Sequence, residues 1–213
     1  MGEIQKGILG GFSGKVGPVV GASWRGKDIV RSRPKKSGKL PSESQLSVRF
    51  KFTLVTRFLA PVRPILSAYF GQPEGVKSRR NLATAYHIDD AVAGLFPDYV
   101  IDYPKVLFTK GDLLGALDPA AVVAATANIN LSWDDNSGQG MAKANDEALI
   151  VVYNETQNLF EIRDSAATRS SGSYAVALPE NWVGNTVYCW LSFISEDKKK
   201  WASSNYLGEF VLV

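Results

Sequence analysis

Short apolar runs recur along the second half of the chain, and clusters of turn residues separate them at regular intervals. The runs are rich in Val, Ile, Tyr and Trp. This composition predicts strands rather than helices, because β-branched and aromatic side chains pack well on a pleated surface. The predicted strands cover residues 122–127, 128–133, 148–154, 159–163, 173–177, 187–195 and 206–213. Regularly spaced short strands indicate a β-sandwich over residues 119–213.

The first 33 residues also carry short apolar runs, which glycine interrupts. Their period is close to two, which predicts two or three strands joined by tight turns at residues 13–14 and 25–28. Along the strand predicted over residues 28–33, Arg31 and Arg33 stand two positions apart. Since alternate side chains of a strand share a face, one face of this strand is expected to be basic.

The middle of the chain changes to a helical period. Ser42 and Gln45 form a capping-box pattern, and apolar residues at the spacing of an amphipathic helix continue to Leu59. Pro61 and Pro64 are expected to end or kink this helix, because proline lacks the backbone N–H that a helix requires. A second helix is predicted to follow it over residues 81–93.

Beyond this helix, strands are predicted over residues 99–103 and 106–108, and a linker or long turn over residues 111–119. The expected fold is therefore an α+β N-terminal region, a small sheet plus two helices, followed by an all-β sandwich. The expected domains are a basic N-terminal region over residues 1–110 and the sandwich over residues 119–213.

Charge is distributed unevenly along the chain. Residues 1–80 contain 16 Lys and Arg but four Asp and Glu, whereas the rest of the chain contains eight and 17. The formal net charge of +3 thus conceals a strongly basic first part and an acidic remainder. Such a separation favours a partner of opposite charge, such as nucleic acid, another protein or a second copy of this chain.

Cysteine and histidine are too rare for several classes of site. The chain has one of each, Cys189 and His87, which excludes an internal disulfide, a cysteine-based zinc site and a multi-histidine metal site. No apolar run reaches the roughly 18 residues that a membrane-spanning helix needs. Glycines and Lys15 interrupt the apolar part of the N-terminus, so a Sec signal peptide is not expected either.

The glycine-rich stretch over residues 7–17 invites comparison with a phosphate-binding loop. That loop requires Ser or Thr directly after its Gly-Lys pair, but Val16 follows Gly14-Lys15, and the glycine spacing also differs. The glycines are therefore expected to serve β-turns or close backbone packing.

Two residues invite a catalytic interpretation. His87 lies on a predicted helix beside Asp89 and Asp90, and a His–Asp pair can perform acid–base chemistry. No partner nucleophile supports that role, so a structural histidine is favoured. Cys189 lies inside an apolar strand, where a buried, inert thiol is the usual outcome.

A group of oxygen-bearing residues in the sandwich has the chemistry of a calcium site, since Ca²⁺ prefers hard oxygen ligands. Its spacing does not match an EF-hand, and the alternative is a solvated polar loop. The residues are Asp134, Asp135, Asn136, Asp146 and Glu147.

The basic residues of the first part form the strongest candidate site. Trp24, Phe50 and Phe52 are interleaved with them, and basic clusters with aromatic residues can follow a nucleic-acid backbone. The same residues can instead dock on an acidic protein or on another copy, or they can form a solvated surface without a direct role. The candidate partner-binding residues are Arg25, Lys27, Arg31, Arg33, Lys35, Lys36, Arg49 and Lys51.

The last hundred residues resemble a fibronectin type III-like module, which belongs to the immunoglobulin-like sandwiches. Such modules are common in adhesive, extracellular and phage-tail proteins, and the resemblance implies binding rather than catalysis. The insert-like stretch over residues 134–147 departs from the simplest pattern. The resemblance rests on Ile129-Asn130-Leu131-Ser132-Trp133, Leu178-Pro179, Val187-Tyr188-Cys189-Trp190 and Ser203-Ser204-Asn205-Tyr206.

The whole chain also resembles a family of uncharacterised Bacteroidota proteins, which implies a bacterial origin and assigns no functional residues. The resemblance rests on the opening Gly-Ile-Leu-Gly-Gly-Phe-Ser-Gly-Lys-Val-Gly over residues 7–17, on Trp24-Arg25-Gly26, on Arg33-Pro34-Lys35-Lys36-Ser37, and on residues 45–52.

These observations together predict a non-enzymatic structural or interaction protein without cofactors or metal. It is expected to dock on a protein partner or on other copies through its basic N-terminal region. Nucleic-acid binding by the same basic face is the alternative. The expected location is the cytoplasm, or a phage-like or surface assembly reached without a Sec signal peptide.

Overall fold

The structure is a computed structural model that describes residues 2–3, 11–24, 26–35, 38–73, 75, 77–125 and 127–213. Part of the predicted glycine-rich stretch, residues 7–10, lies outside the described residues. Arg25 and Lys36 of the predicted basic site lie outside them as well. The chain forms two compact units, residues 1–43 and residues 44–213.

The first unit is a four-stranded antiparallel sheet with the strand order β1-β4-β3-β2. The predicted small sheet is confirmed, but it has four strands rather than two or three, and one predicted turn is displaced. The chain reverses at Gly17 and Pro18, between β2 and β3, rather than at residues 13–14. Gly17 has a φ of 55°, which glycine adopts at little cost. The strands are β1 (Gly2–Glu3), β2 (Gly14–Val16), β3 (Val19–Trp24) and β4 (Lys27–Ser32).

Three helices follow, one more than the sequence predicted: α1 (Glu43–Leu59), α2 (Arg63–Tyr69) and α3 (Arg79–Asp90). The additional helix is α2, and Pro64 lies in its first turn. Proline is well tolerated there, because the N–H of a first-turn residue has no partner within the helix. Pro64 therefore helps to begin α2, rather than ending α1. The side chain of Ser78 caps α3 by accepting a hydrogen bond from the backbone N–H of Asn81.

The strands predicted over residues 99–103 and 106–108 are mostly absent. A two-residue strand, β6 (Val100–Ile101), pairs with β5 (Val92–Ala93), and a 3₁₀ turn covers Tyr103–Lys105. Pro104 lies within that turn and interrupts strand pairing. The second predicted helix, α3, ends at Asp90 rather than at residue 93, because Val92 and Ala93 form β5.

Seven strands then form a sandwich of two antiparallel sheets. The four-stranded sheet has the order β10-β9-β12-β13, and the three-stranded sheet has the order β11-β8-β7. This arrangement confirms the predicted fold class, a small sheet and helices followed by a fibronectin III-like sandwich. The strands are β7 (Leu117–Ala124), β8 (Asn128–Asp134), β9 (Glu147–Asn154), β10 (Leu159–Arg163), β11 (Ser173–Ala177), β12 (Thr186–Ile194) and β13 (Asn205–Val211).

Both faces of the four-stranded sheet are buried. In β9, Ile150 and Val152 belong to the core between the two sheets, whereas Leu149 and Val151 belong to a second core that the helices share. The outer face of a sandwich sheet is ordinarily polar and solvated. Here Phe58 and other apolar residues of α1 and α2 cover it, so the second unit has three layers: helices, sheet and sheet.

The segment predicted as a linker is tied to the sandwich. The N–H of Leu113 donates to the carbonyl of Trp201 over 3.1 Å, and the N–H of Gly111 donates to the hydroxyl of Ser203 over 3.3 Å. Strand β7 already begins at Leu117. Residues 44–110 therefore pack with the sandwich in the second unit. The predicted division of the chain into independently folding domains over residues 1–110 and 119–213 stays a prediction.

Candidate functional site: a basic cleft in the N-terminal sheet

Strand register places basic side chains in one row across the N-terminal sheet. Lys15 pairs with Val20, and Val20 pairs with Arg31. Directly paired residues of antiparallel strands project to the same face. Lys15 and Arg31 thus flank Val20, and Arg33 follows Arg31 by two positions on the same face.

These residues line an open cleft of about 910 Å³, the basic cleft. The backbone N–H of Arg33 donates to the carbonyl of Pro18 over 2.8 Å, which extends the pairing of β4 with β3 and fixes one wall. Lys15, Arg31, Arg33 and Lys35 are all exposed. The lining residues are Lys15, Gly17, Pro18, Val20, Arg31, Ser32, Arg33, Pro34 and Lys35.

The opposite face of this sheet is covered by the chain itself. A Cβ atom built on Gly21 would lie 2.6 Å from the ring of Phe12, and one built on Gly11 would overlap the carboxylate of Asp28. Position 21 therefore requires glycine, because the backbone carbonyl oxygen of Phe12 would lie 2.3 Å from that Cβ, whereas a side chain at position 11 would displace the carboxylate of Asp28. This close packing accounts for Gly11, which belongs to the glycine-rich stretch over residues 7–17, and for Gly21, which lies outside it.

Charge of one sign is concentrated in the basic cleft. Within the described part of the chain, none of Lys15, Arg31, Arg33 and Lys35 forms an ion pair. Four exposed cations that form no ion pair among the described residues repel one another and attract anions, and a concave surface strengthens that local potential. The cleft is therefore suited to an anionic surface or polymer.

The same face carries an aromatic side chain at its other end. Trp24 pairs with Lys27, and both share the face of Val20 and Arg31, since they lie four residues away along their strands. The side chain of Trp24 is 51% exposed. A cationic row that leads to an exposed indole ring is an arrangement that can also bind single-stranded nucleic acid.

The predicted basic residues thus fall into two groups. Arg31, Arg33 and Lys35 line the cleft together with Lys15, which the predicted site omitted because its place beside Val20 depends on the pairing of β2 with β3. Arg49 and Lys51 instead lie on α1 of the second unit, where the ammonium group of Lys51 lies 4.9 Å from the ring centroid of Tyr99.

His87 is fully buried in α3. Its Nδ1 lies 2.8 Å from the carbonyl oxygen of Ala83, and its Nε2 accepts from the N–H of Leu107 over 3.4 Å. These partners imply a neutral ring with the proton on Nδ1, which donates to Ala83. Burial lowers the pKa of His87 to about 4, and the hydrogen bonds and Asp90 only partly oppose this effect. The ring serves to join α3 to the segment that follows β6.

Cys189 is buried between the two sheets, and burial raises the pKa of its thiol to about 12. We therefore expect no reaction of the folded protein with a thiol-modifying disulfide reagent in mildly alkaline buffer, because the thiolate is the reactive species. One thiol per chain should react after unfolding in guanidinium chloride. Absorbance of the released thiol measures both states, and rapid labelling of the folded chain would contradict the buried position.

The loop considered for calcium is organised by a guanidinium group. Arg169 donates from Nε to Asp146 Oδ2 over 3.1 Å and from one terminal nitrogen to Asn136 Oδ1 over 2.6 Å. Asp146 and Arg169 are buried, so the alternative of a fully solvated loop is wrong for this part of it. Arg169 was not among the predicted residues of this loop, because its partners Asp146 and Asn136 are 23 and 33 residues away along the chain.

Among the residues that the structure describes, no three His, Cys, Asp or Glu side chains are grouped so that they could hold a metal ion. Among the helices of the same residues, none is both long and apolar enough to cross a membrane.

Fold and surface define this chain as a helix-covered, fibronectin III-like sandwich preceded by a small sheet with a basic cleft. The model of a family of unknown function, DUF6266, matches residues 11–208. The chain belongs to that family. Among proteins of curated function, none matches the sequence.

Fibronectin type III domains are among the solved structures similar to this chain. The three-domain FN1–FN3 fragment of chicken CNTN1 matches with a TM-score of 0.37, 8% identity and 49% of this chain covered. This chain spans 33% of that fragment. The fn3 domain of the human collagen alpha-1(XX) chain matches with a TM-score of 0.35, 8% identity and coverage of 47% of this chain and 85% of that one. For an fn3 domain of human contactin 1, the TM-score is 0.30 at 9% identity, with coverage of 48% and 77%.

Proposed function

We propose that this protein is a non-enzymatic interaction protein that docks on an acidic protein surface through its basic cleft. One observation carries the proposal: Lys15, Arg31, Arg33 and Lys35 converge on one exposed surface, and no ion pair within the described residues neutralises them. The partner can be a different protein or another copy of this chain, since residues 81–213 are acidic overall.

The positions of the two residues with catalytic potential support a non-enzymatic role. His87 and Cys189 are both fully buried, the first within the helical layer and the second between the sheets. A general base or a nucleophile must reach its substrate within hydrogen-bonding distance. Neither side chain offers that access.

Replacing Arg31 and Arg33 by alanine is expected to weaken binding to an acidic polypeptide about tenfold or more, because exposed charges at an interface mainly set its electrostatic attraction. The probe is surface-immobilised poly-L-glutamate, and biolayer interferometry over a sodium chloride series measures the affinity. Binding of the unchanged protein should fall as salt rises, because salt screens interactions between exposed charges.

A second double variant, Lys143→Ala with Lys199→Ala, removes the same charge from exposed positions of the sandwich and serves as the matched control. It should retain most of the affinity. Equal losses in both variants would show that net charge, rather than the basic cleft, determines binding. Absence of binding by the unchanged protein at low salt would refute the proposal.

Nucleic-acid binding by the same face is a second candidate, which the exposed Trp24 at the end of the cationic row favours. In that case Trp24→Ala should weaken binding to a fluorescent oligodeoxythymidine by about 1–3 kcal/mol, the usual contribution of a stacked base. Fluorescence anisotropy measures this. The same variant should bind poly-L-glutamate with nearly unchanged affinity, so the two probes separate the two functions.

A further inference from the structure

The helical layer of the second unit carries a groove of about 340 Å³ between its three helices. Leu59 and Leu66 are buried at its floor, and Phe52 beside them is 53% exposed. We call it the arginine-rimmed groove, because two arginines accompany its apolar residues. It is lined chiefly by Phe52, Leu59, Arg63, Leu66, Arg80 and Ile88.

The polar groups of this groove define what it can accept. Its two threonine hydroxyls are engaged within their own helices. Thr56 donates to the backbone carbonyl of Phe52 over 2.7 Å, and Thr84 donates to the backbone carbonyl of Arg80 over 3.0 Å. The guanidinium groups of Arg63 and Arg80 are exposed, and among the described residues neither forms an ion pair. A matching occupant combines apolar side chains with carboxylates.

Such a combination is present on the surface of this same chain, before and at the start of β7. Leu114 and Leu117 are 41% and 40% exposed there. The exposed carboxylates of Asp112 and Asp118 bracket the two leucines. Residues 112–118 therefore present two apolar side chains between two anionic groups, which complements an apolar floor between two guanidinium groups.

The segment is also held in a fixed conformation. Leu113 is buried between the sheets, and its N–H donates to the carbonyl of Trp201. The guanidinium of Arg169 donates to the carbonyls of Leu114 and Gly115 over 2.9 and 3.1 Å. Preorganisation of this kind lowers the entropic cost of binding, because the backbone is already ordered before the contact forms.

We propose that residues 112–118 of one copy dock into the arginine-rimmed groove of a second copy. The inference rests on the proposed interaction role and names a partner for it, but it uses residues outside the basic cleft. The two surfaces differ from each other, so the contact is heterologous, and repetition of it produces rings or filaments rather than a closed pair.

The unchanged protein is expected to assemble as its concentration rises, which sedimentation velocity at low salt measures. Two variants should each shift assembly to concentrations about tenfold or more higher, because each removes one half of the contact. The first, Arg63→Glu with Arg80→Glu, disables the groove. The second, Leu114→Ser with Leu117→Ser, disables the segment.

Mixing the two variants provides the sharpest test. The first variant retains an intact segment and the second an intact groove, so one productive contact remains and a 1:1 complex should form that neither variant forms alone. A contact between identical surfaces cannot give this result. Circular dichroism melting establishes whether each variant is folded. If the groove variant is not folded, Arg63→Ala with Arg80→Ala replaces it.

Lys143→Glu with Lys198→Glu is the matched control, at exposed positions outside both the groove and the basic cleft. It makes the same change of charge as the groove variant, and it should leave self-assembly within about twofold of the unchanged protein. A separate variant, Arg31→Glu with Arg33→Glu, tests the basic cleft: if it abolishes assembly while the groove variant does not, the groove is excluded and the cleft mediates self-association. A monomer at all concentrations, or a mixture of variants that stays monomeric, would overturn the inference without affecting poly-L-glutamate binding by the cleft.

Discussion

Replacing Arg169 by alanine should lower the free energy of unfolding by about 3–5 kcal/mol, as expected when one partner of a buried ion pair is removed. The side chains of Arg169 and Asp146 are 0% and 1% exposed. Without the guanidinium, the carboxylate of Asp146 remains buried without a compensating charge. Among the described residues its Oδ1 has no hydrogen-bond partner, and its Oδ2 accepts from Arg169 and from the backbone N–H of Lys143, so Arg169 supplies the opposite charge.

The other contacts of Arg169 add to this effect. Its guanidinium also donates to Asn136 and to two backbone carbonyls, and its central carbon lies 4.0 Å from the ring centroid of Phe193. The carbonyl oxygen of Arg169 accepts a hydrogen bond from the indole N–H of Trp133 over 2.7 Å. One side chain therefore connects the segment before β7, the insert after β8 and the core.

Urea unfolding followed by circular dichroism measures the loss. Arg163→Ala is the matched control: it removes a partly exposed arginine, 38% accessible, that pairs with Glu161, and it should cost about 1 kcal/mol or less. Adding Asp146→Asn to Arg169→Ala should restore part of the stability, because no buried charge is then stranded. Equal costs for Arg169→Ala and Arg163→Ala would contradict the structural role assigned to Arg169.

Acidification should destabilise the protein through His87, by about 2 kcal/mol between pH 7 and pH 5. Burial lowers the pKa of this ring to about 4 in the folded state, from an ordinary value of 6.5. Between these two values the unfolded chain binds a proton that the folded chain excludes. The contribution is therefore fully present above pH 6.5 and is lost progressively as the pH falls toward 4.

Comparison with His87→Gln isolates this contribution from carboxylates that titrate in the same range. The glutamine variant should be less stable than the unchanged protein at pH 7, because it fills the buried site less well. Between pH 7 and pH 5, the free energy of unfolding of the glutamine variant should fall by about 2 kcal/mol less than that of the unchanged protein. Urea unfolding at several pH values measures both, and parallel profiles would show that His87 is not buried in its neutral form.

The strands of the sandwich could be predicted closely because their signal is local. Residues 159–163 and 173–177 were predicted with the bounds that β10 and β11 have in the structure. Each strand alternates or is continuously apolar over a few residues, and turn residues bound it. The errors are concentrated in residues 61–108, where proline and short apolar runs are compatible with several local conformations.

The candidate site was only partly predictable for a related reason. Alternation along one strand placed Arg31 and Arg33 on a common face, and the structure groups them with Lys35. The pairing of Lys15 with Val20 and of Val20 with Arg31 is a matter of register between strands, which composition does not specify. Arg49 and Lys51 were joined to the set by charge and proximity in sequence alone.

The sequence by itself determined the strands of the sandwich, the two longer helices, the polarity of charge and the absence of an internal disulfide, since each depends on residue identity or on neighbours along the chain. Tertiary structure decided which faces are covered. The continuous apolar run of β9 is explained only when α1 and α2 cover the face opposite the inter-sheet core. The partners of Arg169 and of His87 were likewise fixed only by folding, because their contacts join residues far apart in the chain within a space closed to water.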